Sequence, residues 1–204
     1  MLEITLVDYG VGNMHSIQKA LEGAGARVRP TNDHGEILAS SCLVLPGVGA
    51  CGAVMRDLAP IRERLRDHLA SGIPALGVCV GMQILFERSE EGDCGCIGLI
   101  AGEVRRLRHP RLPHIGWNTV EIGDDPLFAG IAAESHFYYV HSFAGFPRDV
   151  AALATTEYGE RFPAAIRVGN VYGVQCHPEK SSSQGLTLIR NFVRWADDVH
   201  PPRH

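Results

Sequence analysis

The pattern of hydrophobic and polar residues predicts alternating strands and helices in the first half of the chain. Short, mostly apolar strands are expected at residues 2–9, 27–30, 42–45 and 73–78. Apolar residues at helical spacing predict helices at 14–24 and 54–70, and a third helix is expected from 80 to 88. Asn13 lies where it would cap the first of these helices. Such alternation favours a parallel sheet covered by helices on both faces.

After Gly92 the pattern changes to short strands separated by glycine and proline. They are predicted near residues 103–107, 118–122, 137–140, 150–155, 164–168 and 171–175. We expect them to add antiparallel strands to the same sheet or to form a small second one. The inward face of a last helix, at about 182–196, is predicted to carry Leu186, Ile189, Phe192 and Val193.

Length and composition agree with a single globular domain. The chain has 204 residues, of which 45% are hydrophobic and 21% charged. We therefore expect one α/β domain over residues 1–198, built on an open, mixed, mostly parallel sheet with helices on both faces. A loose tail is expected at 199–204, where Pro201 and Pro202 stand.

Charge and cysteine content narrow the class of protein. The net charge of −4 does not indicate nucleic acid or an anionic membrane as a partner. No apolar run approaches the ~20 residues of a membrane span, and the first residues lack the pattern of a signal peptide. The six cysteines are expected to be free thiols. We therefore expect a cytoplasmic protein.

Cys79 lies in the sequence Gly77-Val-Cys79-Val-Gly81, between a predicted strand and a predicted helix. This spacing is typical of a nucleophile elbow, in which a side chain at either glycine would crowd the strand against the helix. A thiol at a helix N-terminus is favoured as thiolate, the nucleophilic form. The alternative is a buried structural cysteine, and the motif alone leaves both open.

His177 and Glu179 follow the last predicted strand in the sequence His177-Pro178-Glu179. Pro178 favours an extended backbone at His177, and in extended chain alternate side chains point to the same side. The carboxylate can then orient the imidazole as the base of a Cys-His-Glu triad. Two solvated residues at a strand end are the alternative, which the elbow at Cys79 makes less favourable.

These motifs resemble those of the class I (triad) glutamine amidotransferases, whose signature Gly77-Val-Cys79-Val-Gly81-Met-Gln83 and His177-Pro-Glu179 match. The resemblance covers residues 2 to about 192 and implies the flavodoxin-like fold of that family. Other segments are similar to those of the glutaminase subunits that serve histidine biosynthesis. They are Asp8-Tyr-Gly-Val-Gly-Asn13, Pro46-Gly-Val-Gly49, Pro113-His-Ile-Gly-Trp-Asn118, Tyr139-Val-His-Ser-Phe143 and Phe162-Pro-Ala-Ala165.

The resemblance implies a role for each matching residue. Cys79 would attack the side-chain amide of glutamine, His177 would carry the proton, and Glu179 would orient His177. Backbone amides of Val80 and Gly49 would bind the oxyanion. Substrate contacts are implied for Gly47, Gln83, Glu91, Ser142 and Phe143.

The resemblance also implies a heterodimer. Ammonia would pass to a (β/α)8-barrel cyclase subunit that makes imidazole glycerol phosphate and an aminoimidazole carboxamide ribotide, and the barrel's substrate would switch the glutaminase on. No cofactor, metal, nucleic acid or membrane is expected. The alternatives are the glutaminase subunit of another synthase and a stand-alone γ-glutamyl cysteine hydrolase.

The sequence departs from the family pattern at three positions. Val80, Cys51 and Cys176 stand where leucine, phenylalanine and phenylalanine are expected. Val80 keeps its backbone amide, and Cys176 is expected to point away from His177 and to pack. Cys94 and Cys96 lack the spacing of a zinc finger, and a mobile surface loop is the default expectation there.

Overall fold

The computed structural model describes residues 1–10, 12 and 14–199 and contains two sheets. A nine-stranded mixed sheet has the order β2-β1-β3-β4-β13-β12-β11-β8-β9, and a four-stranded sheet has the order β10-β7-β5-β6. In chain order the strands are β1 (Glu3–Val7), β2 (Arg27–Thr31), β3 (Leu43–Leu45), β4 (Ala75–Val78), β5 (Phe86–Ser89), β6 (Cys94–Gly95), β7 (Ile100–Arg106), β8 (His114–Ile122), β9 (Glu134–His141), β10 (Phe143–Pro147), β11 (Ala152–Glu157), β12 (Arg161–Val168) and β13 (Val171–Val174).

Six α-helices accompany these strands in the described residues. They are α1 (His15–Gly23), α2 (His34–Leu38), α3 (Cys51–Leu58), α4 (Arg62–Ala70), α5 (Val80–Gln83) and α6 (Ser182–Val199). Over this part of the chain, no helix has both the length and the apolar character that crossing a bilayer would need.

The large sheet is parallel in one half and antiparallel in the other. Strands β2, β1, β3, β4 and β13 run parallel, and β12, β11, β8 and β9 add antiparallel pairs. Buried residues of α1 and α6 pack on one face, and those of α3 and α4 with the second sheet pack on the other. The predicted α/β fold is confirmed. Of the two alternatives expected for the second half of the chain, the structure contains both: antiparallel strands in the large sheet and a small second sheet.

The register of the parallel strands determines where loops meet. Val78 of β4 pairs with Val174 of β13, and Gly77 pairs with Leu45 of β3. Because these strands run in the same direction, the residues that follow each of them emerge at one edge of the sheet. The turn at 46–49, Cys79 and His177 therefore come together.

Two predicted helices are wrong in extent. The helix expected over 54–70 is two helices separated by a 3₁₀ turn at Ala59–Ile61, because Pro60 lacks the N–H that a continuous helix needs. The helix expected from 80 to 88 ends at Gln83, and Phe86 begins β5.

Smaller differences lie elsewhere in the chain. The prediction missed α2, although Asp33 caps it by accepting a hydrogen bond from the Glu36 N–H. Leu186, expected to face inward, is 44% exposed. Cys94 lies in β6 and Cys96 is buried, so the expectation of a mobile surface loop is wrong. Asn13, Pro201 and Pro202 lie outside the described residues, and Val199 ends α6.

Gly77 and Gly81 allow the elbow to fit between neighbouring strands. A Cβ at Gly77 would lie 2.5 Å from the carbonyl oxygen of Gly81, so β4 and α5 touch backbone to backbone. A Cβ at Gly81 would lie 2.0 Å from the Leu45 oxygen, which is in β3. Crowding against the helix is thus confirmed for Gly77, whereas Gly81 faces a second strand.

We expect Gly81→Ala to lower the free energy of unfolding by about 3 kcal/mol or more, because its methyl group meets backbone that cannot rotate away. Denaturant unfolding followed by circular dichroism measures this loss. Gly23→Ala is the matched control, since nothing lies within 4 Å of its Cβ. Equal midpoints for Gly81→Ala and the wild type would contradict this account of the elbow.

Candidate active site

Cys79 adopts a strained backbone conformation between β4 and α5. Its φ of 49° and ψ of −109° lie in a region that residues with a side chain rarely occupy. Its N–H donates to the Val174 carbonyl at 2.7 Å, which ties the elbow to β13. Such strain is held in place by surrounding structure and is typical of a nucleophile presented at the end of a strand.

His177 and Glu179 lie beside Cys79. The His177 backbone is extended, as predicted, but residues Pro178–Lys180 form a 3₁₀ turn rather than continuing the strand. This turn brings the Glu179 carboxylate 2.8 Å from His177 Nδ1. Both side chains are buried, and a Cβ at Gly47 would touch both His177 and Cys79, so the two side chains lie close together. The three residues thus form one connected group.

The charge state of His177 follows from its two partners. Burial alone would lower the pKa of His177, but the neighbouring Cys79 and Glu179 side chains outweigh burial and raise the pKa to about 10. The ring therefore carries a proton at neutral pH. A thiol, an imidazole and a carboxylate in this order are the groups that nucleophilic catalysis by cysteine requires.

The turn at residues 46–49 packs directly on this group. A Cβ at Gly47 would lie 2.8 Å from His177 Cε1 and 2.9 Å from Cys79 Cβ, so only glycine fits between the two side chains. Gly49 has a φ of 85°, and Val80 begins α5. The first N–H groups of a helix have no partner within the helix, which leaves the Val80 amide available beside Cys79.

A buried amide network connects Cys79 with Phe143. Gln175 Nε2 lies 3.6 Å from Cys79 Sγ, and its Oε1 accepts a hydrogen bond of 3.0 Å from Gln83 Nε2. Gln83 also donates to the Phe143 carbonyl at 2.8 Å. Sequence reasoning missed Gln175, although it stands two residues before His177 on an extended segment, and residues at that spacing share a side.

Glu91 and Ser142, which were also predicted to contact substrate, accept hydrogen bonds from backbone N–H groups. The Glu91 carboxylate accepts a hydrogen bond of 2.9 Å from the backbone N–H of Cys51, at the start of α3. The Ser142 carbonyl accepts one of 3.0 Å from the Leu107 N–H. Glu91 is thus connected to the segment that follows the 46–49 turn, and Ser142 to the residue that follows β7.

His114 and His141 form a neutral pair behind the site. His141 Nδ1 lies 2.8 Å from the Phe143 carbonyl, His141 Nε2 lies 3.1 Å from His114 Nδ1, and Asn118 Nδ2 lies 3.2 Å from His114 Nε2. Every donor in this series of hydrogen bonds has an acceptor if each imidazole ring carries its one proton on Nδ1. Burial lowers the pKa of His114 to about 4 and that of His141 to about 3.

Comparison with known protein families gives one match over most of the chain. Residues 5–195 match the model described as "Glutamine amidotransferase class-I". A protein of Methylococcus capsulatus named imidazole glycerol phosphate synthase subunit HisH is 47% identical over 96% of this chain and 97% of its own. One of Methanocaldococcus jannaschii with the same name is 46% identical over 93% and 98%.

Solved structures show the same fold at low sequence identity. A structure described as a glutamine amidotransferase superposes with a TM-score of 0.75 at 18% identity, covering 95% of this chain and 98% of the other. One described as a putative GMP synthase subunit of Thermoplasma acidophilum gives 0.73 at 22% identity, covering 97% and 95%.

The pKa values of His114 and His141 predict loss of stability in acid. Below pH of about 6.5, where an exposed histidine gains its proton, the unfolded chain binds more protons than the folded one. We therefore expect the free energy of unfolding to fall as the pH drops from about 6.5 toward 4, and His114→Gln to flatten this fall. Denaturant titrations at several pH values measure the slope. An unchanged slope in the variant would contradict the neutral pair.

Proposed function

The chain belongs to the class-I glutamine amidotransferase family, and from this premise we propose that it is the glutaminase subunit of an imidazole glycerol phosphate synthase. It hydrolyses glutamine to glutamate and ammonia and passes the ammonia to a (β/α)8-barrel cyclase subunit. The observation that carries the glutaminase activity is the group formed by Cys79, His177 and Glu179 at one edge of the sheet.

The reaction begins with the thiolate of Cys79, which attacks the side-chain amide carbon of glutamine. The carbonyl oxygen becomes an oxyanion, for which the amides of Val80 and Gly49 supply the donors. The carbon–nitrogen bond then breaks, and protonated His177 gives its proton to the leaving ammonia. A γ-glutamyl thioester on Cys79 remains.

Water completes the cycle. His177, now neutral, takes a proton from the water molecule that attacks the thioester carbon, and the carbon–sulfur bond breaks. Glutamate leaves and the thiolate beside protonated His177 is restored. Glu179 keeps the imidazole in the correct orientation through its bond to Nδ1, so Nε2 carries the proton in both steps.

The amino-acid end of glutamine is proposed to bind near the network of Gln83 and Phe143. Gln83 is buried and fixed by its bonds to Phe143 and Gln175, so its position is set before substrate arrives. We propose the backbone at Ser142 and Phe143, the Gly47 turn and the Glu91 carboxylate as the remaining contacts.

An apolar face beside the site supports a protein partner. Ile115, Trp117 and Val140 are 60%, 52% and 38% exposed, and they stand with Tyr138 on one face of the β8–β9 pair. Large exposed apolar residues grouped in this way mark interaction surfaces. The Tyr138 carbonyl accepts the His177 N–H at 2.9 Å, so this face adjoins the triad. We propose that the barrel docks here and receives ammonia.

Docking also offers a route for control of the glutaminase. The oxyanion turn is glycine-rich, and its Val48 side chain packs against Gly12, where a Cβ would lie 2.6 Å from Val48 Cβ. We propose that binding of the barrel and its substrate turns a peptide of residues 47–49 so that its N–H faces the oxyanion. Without the barrel this N–H faces away, so the free chain hydrolyses glutamine slowly.

We expect Cys79→Ala to lower the rate of glutamate release at least about a thousandfold, because the thioester cannot form. The assay supplies glutamine, the barrel subunit and the barrel's ligand, and measures glutamate. Cys42→Ala is the matched control, since Cys42 is a buried free thiol outside the site. If Cys79→Ala released glutamate at a rate within about tenfold of the wild-type rate, the assignment of Cys79 as the nucleophile would be wrong.

We expect Trp117→Ala to raise the Kd for the barrel roughly tenfold or more, because exposed tryptophans at interface centres carry much of the binding energy. Titration calorimetry measures Kd, and Leu186→Ala controls for loss of an exposed apolar residue on α6. Equal weakening of barrel binding by both variants would contradict docking on the β8–β9 face.

The proposed switch has its own test. If the free chain released glutamate at the full rate of the complex, the switch would be refuted.

A further inference from the structure

Three cysteine side chains converge at the start of α3. Cys51 is the first residue of that helix, and Cys94 and Cys96 flank Gly95 in the β6 segment. Cys51 Sγ lies 3.0 Å from Cys94 Sγ and 3.5 Å from Cys96 Sγ, and all three sulfur atoms lie within 4.8 Å of one another. No step of the glutaminase reaction uses any of these three thiols.

The spacing of the sulfur atoms suits a metal ion. Three thiolates around one tetrahedral zinc, with bonds of about 2.3 Å, stand roughly 3.8 Å apart. The distances from Cys51 Sγ, 3.0 and 3.5 Å, are somewhat shorter than this value, so the thiols would move apart by less than about 1 Å to hold an ion. Cys51 and Cys96 are buried and Cys94 is half-buried, which leaves one side for entry.

Glu91 has contacts with two residues of the cluster. Glu91 Oε2 accepts the backbone N–H of Cys51 at 2.9 Å, and Cys94 Sγ lies 3.6 Å from the Glu91 carbonyl. Oxygen of a glutamate or of water is a common fourth ligand where three protein side chains bind zinc. Soft thiolates, however, also bind Cu(I) in preference to hard ions such as Mg²⁺.

We propose that Cys51, Cys94 and Cys96 form a binding site for one thiophilic metal ion, Zn²⁺ or Cu(I), whose remaining ligand is water. The thiols release their protons to solvent as the ion binds, so affinity falls as the pH is lowered. Nothing is oxidised or reduced. The ion joins the first turn of α3 to β6 and thereby holds the segment that follows the 46–49 turn.

The test uses the full chain as Cys79→Ala, so that metal held by the catalytic thiol does not count and the result is independent of glutaminase activity. Under anaerobic conditions the protein is titrated with Zn²⁺, Cu(I) or Mg²⁺, and native mass spectrometry gives the stoichiometry. We expect one Zn²⁺ or Cu(I) per chain, no Mg²⁺, and a higher Tm in the loaded protein.

Variants then assign the site. Cys51→Ala, Cys94→Ala and Cys96→Ala, each in the Cys79→Ala background, are expected to weaken binding at least about tenfold, since each removes one thiolate ligand. Cys42→Ala in that background is the matched control and is expected to bind as before. Equal affinity in all four variants, or no stoichiometric binding, would overturn the proposal.

A second measurement leaves the three cysteines of the cluster unchanged, so it does not depend on whether their variants fold. Alkylation of the native Cys79→Ala chain, mapped by mass spectrometry, is expected to label Cys94 without metal and to be suppressed at least about tenfold by one equivalent of ion. Labelling that the ion does not change would overturn the proposal. So would a cluster that takes up no ion and yields only a disulfide on exposure to air.

Discussion

The parallel pairing of β4 with β3 on one side and β13 on the other is the constraint on which the site depends. It fixes the ends of three strands at one edge of the sheet, so the glycine turn, Cys79 and His177 meet although about 130 residues of sequence separate the first from the last. A shift of one residue in either pairing would turn every side chain of the moved strand to the opposite face. Packing on both faces of the sheet therefore fixes the register of these strands, and the register fixes the geometry of the site.

Close backbone contact is the second requirement at this edge. Three glycines leave room that no side chain could share, at Gly77, Gly81 and Gly47. They let the elbow, the neighbouring strand and the 46–49 turn approach until the strained conformation of Cys79 is held from all sides. Favourable packing thus offsets the unfavourable backbone conformation of Cys79 and holds its thiol next to the protonated imidazole of His177.

The sequence predicted the fold class and the group of Cys79, His177 and Glu179, because both rest on short local patterns. What it could not predict depends on contacts between distant segments. The glutamine pair Gln83–Gln175 is formed across two elements, and Cys51 meets Cys94 and Cys96 only because α3 packs on β6. The predicted helix over 54–70 is wrong at Pro60, where the missing N–H outweighs the apolar periodicity.

The turn that carries His177 also has a consequence for the physical state of the free chain. Strand β9 is the last strand of the large sheet, and such a strand offers unpaired backbone groups to any other chain. At Tyr138 these groups are occupied, the N–H by Ser181 Oγ at 2.9 Å and the carbonyl by the His177 N–H at 2.9 Å. Residues 177–181 therefore cover the strand edge at Tyr138, and their displacement would expose both backbone groups to pairing with another chain.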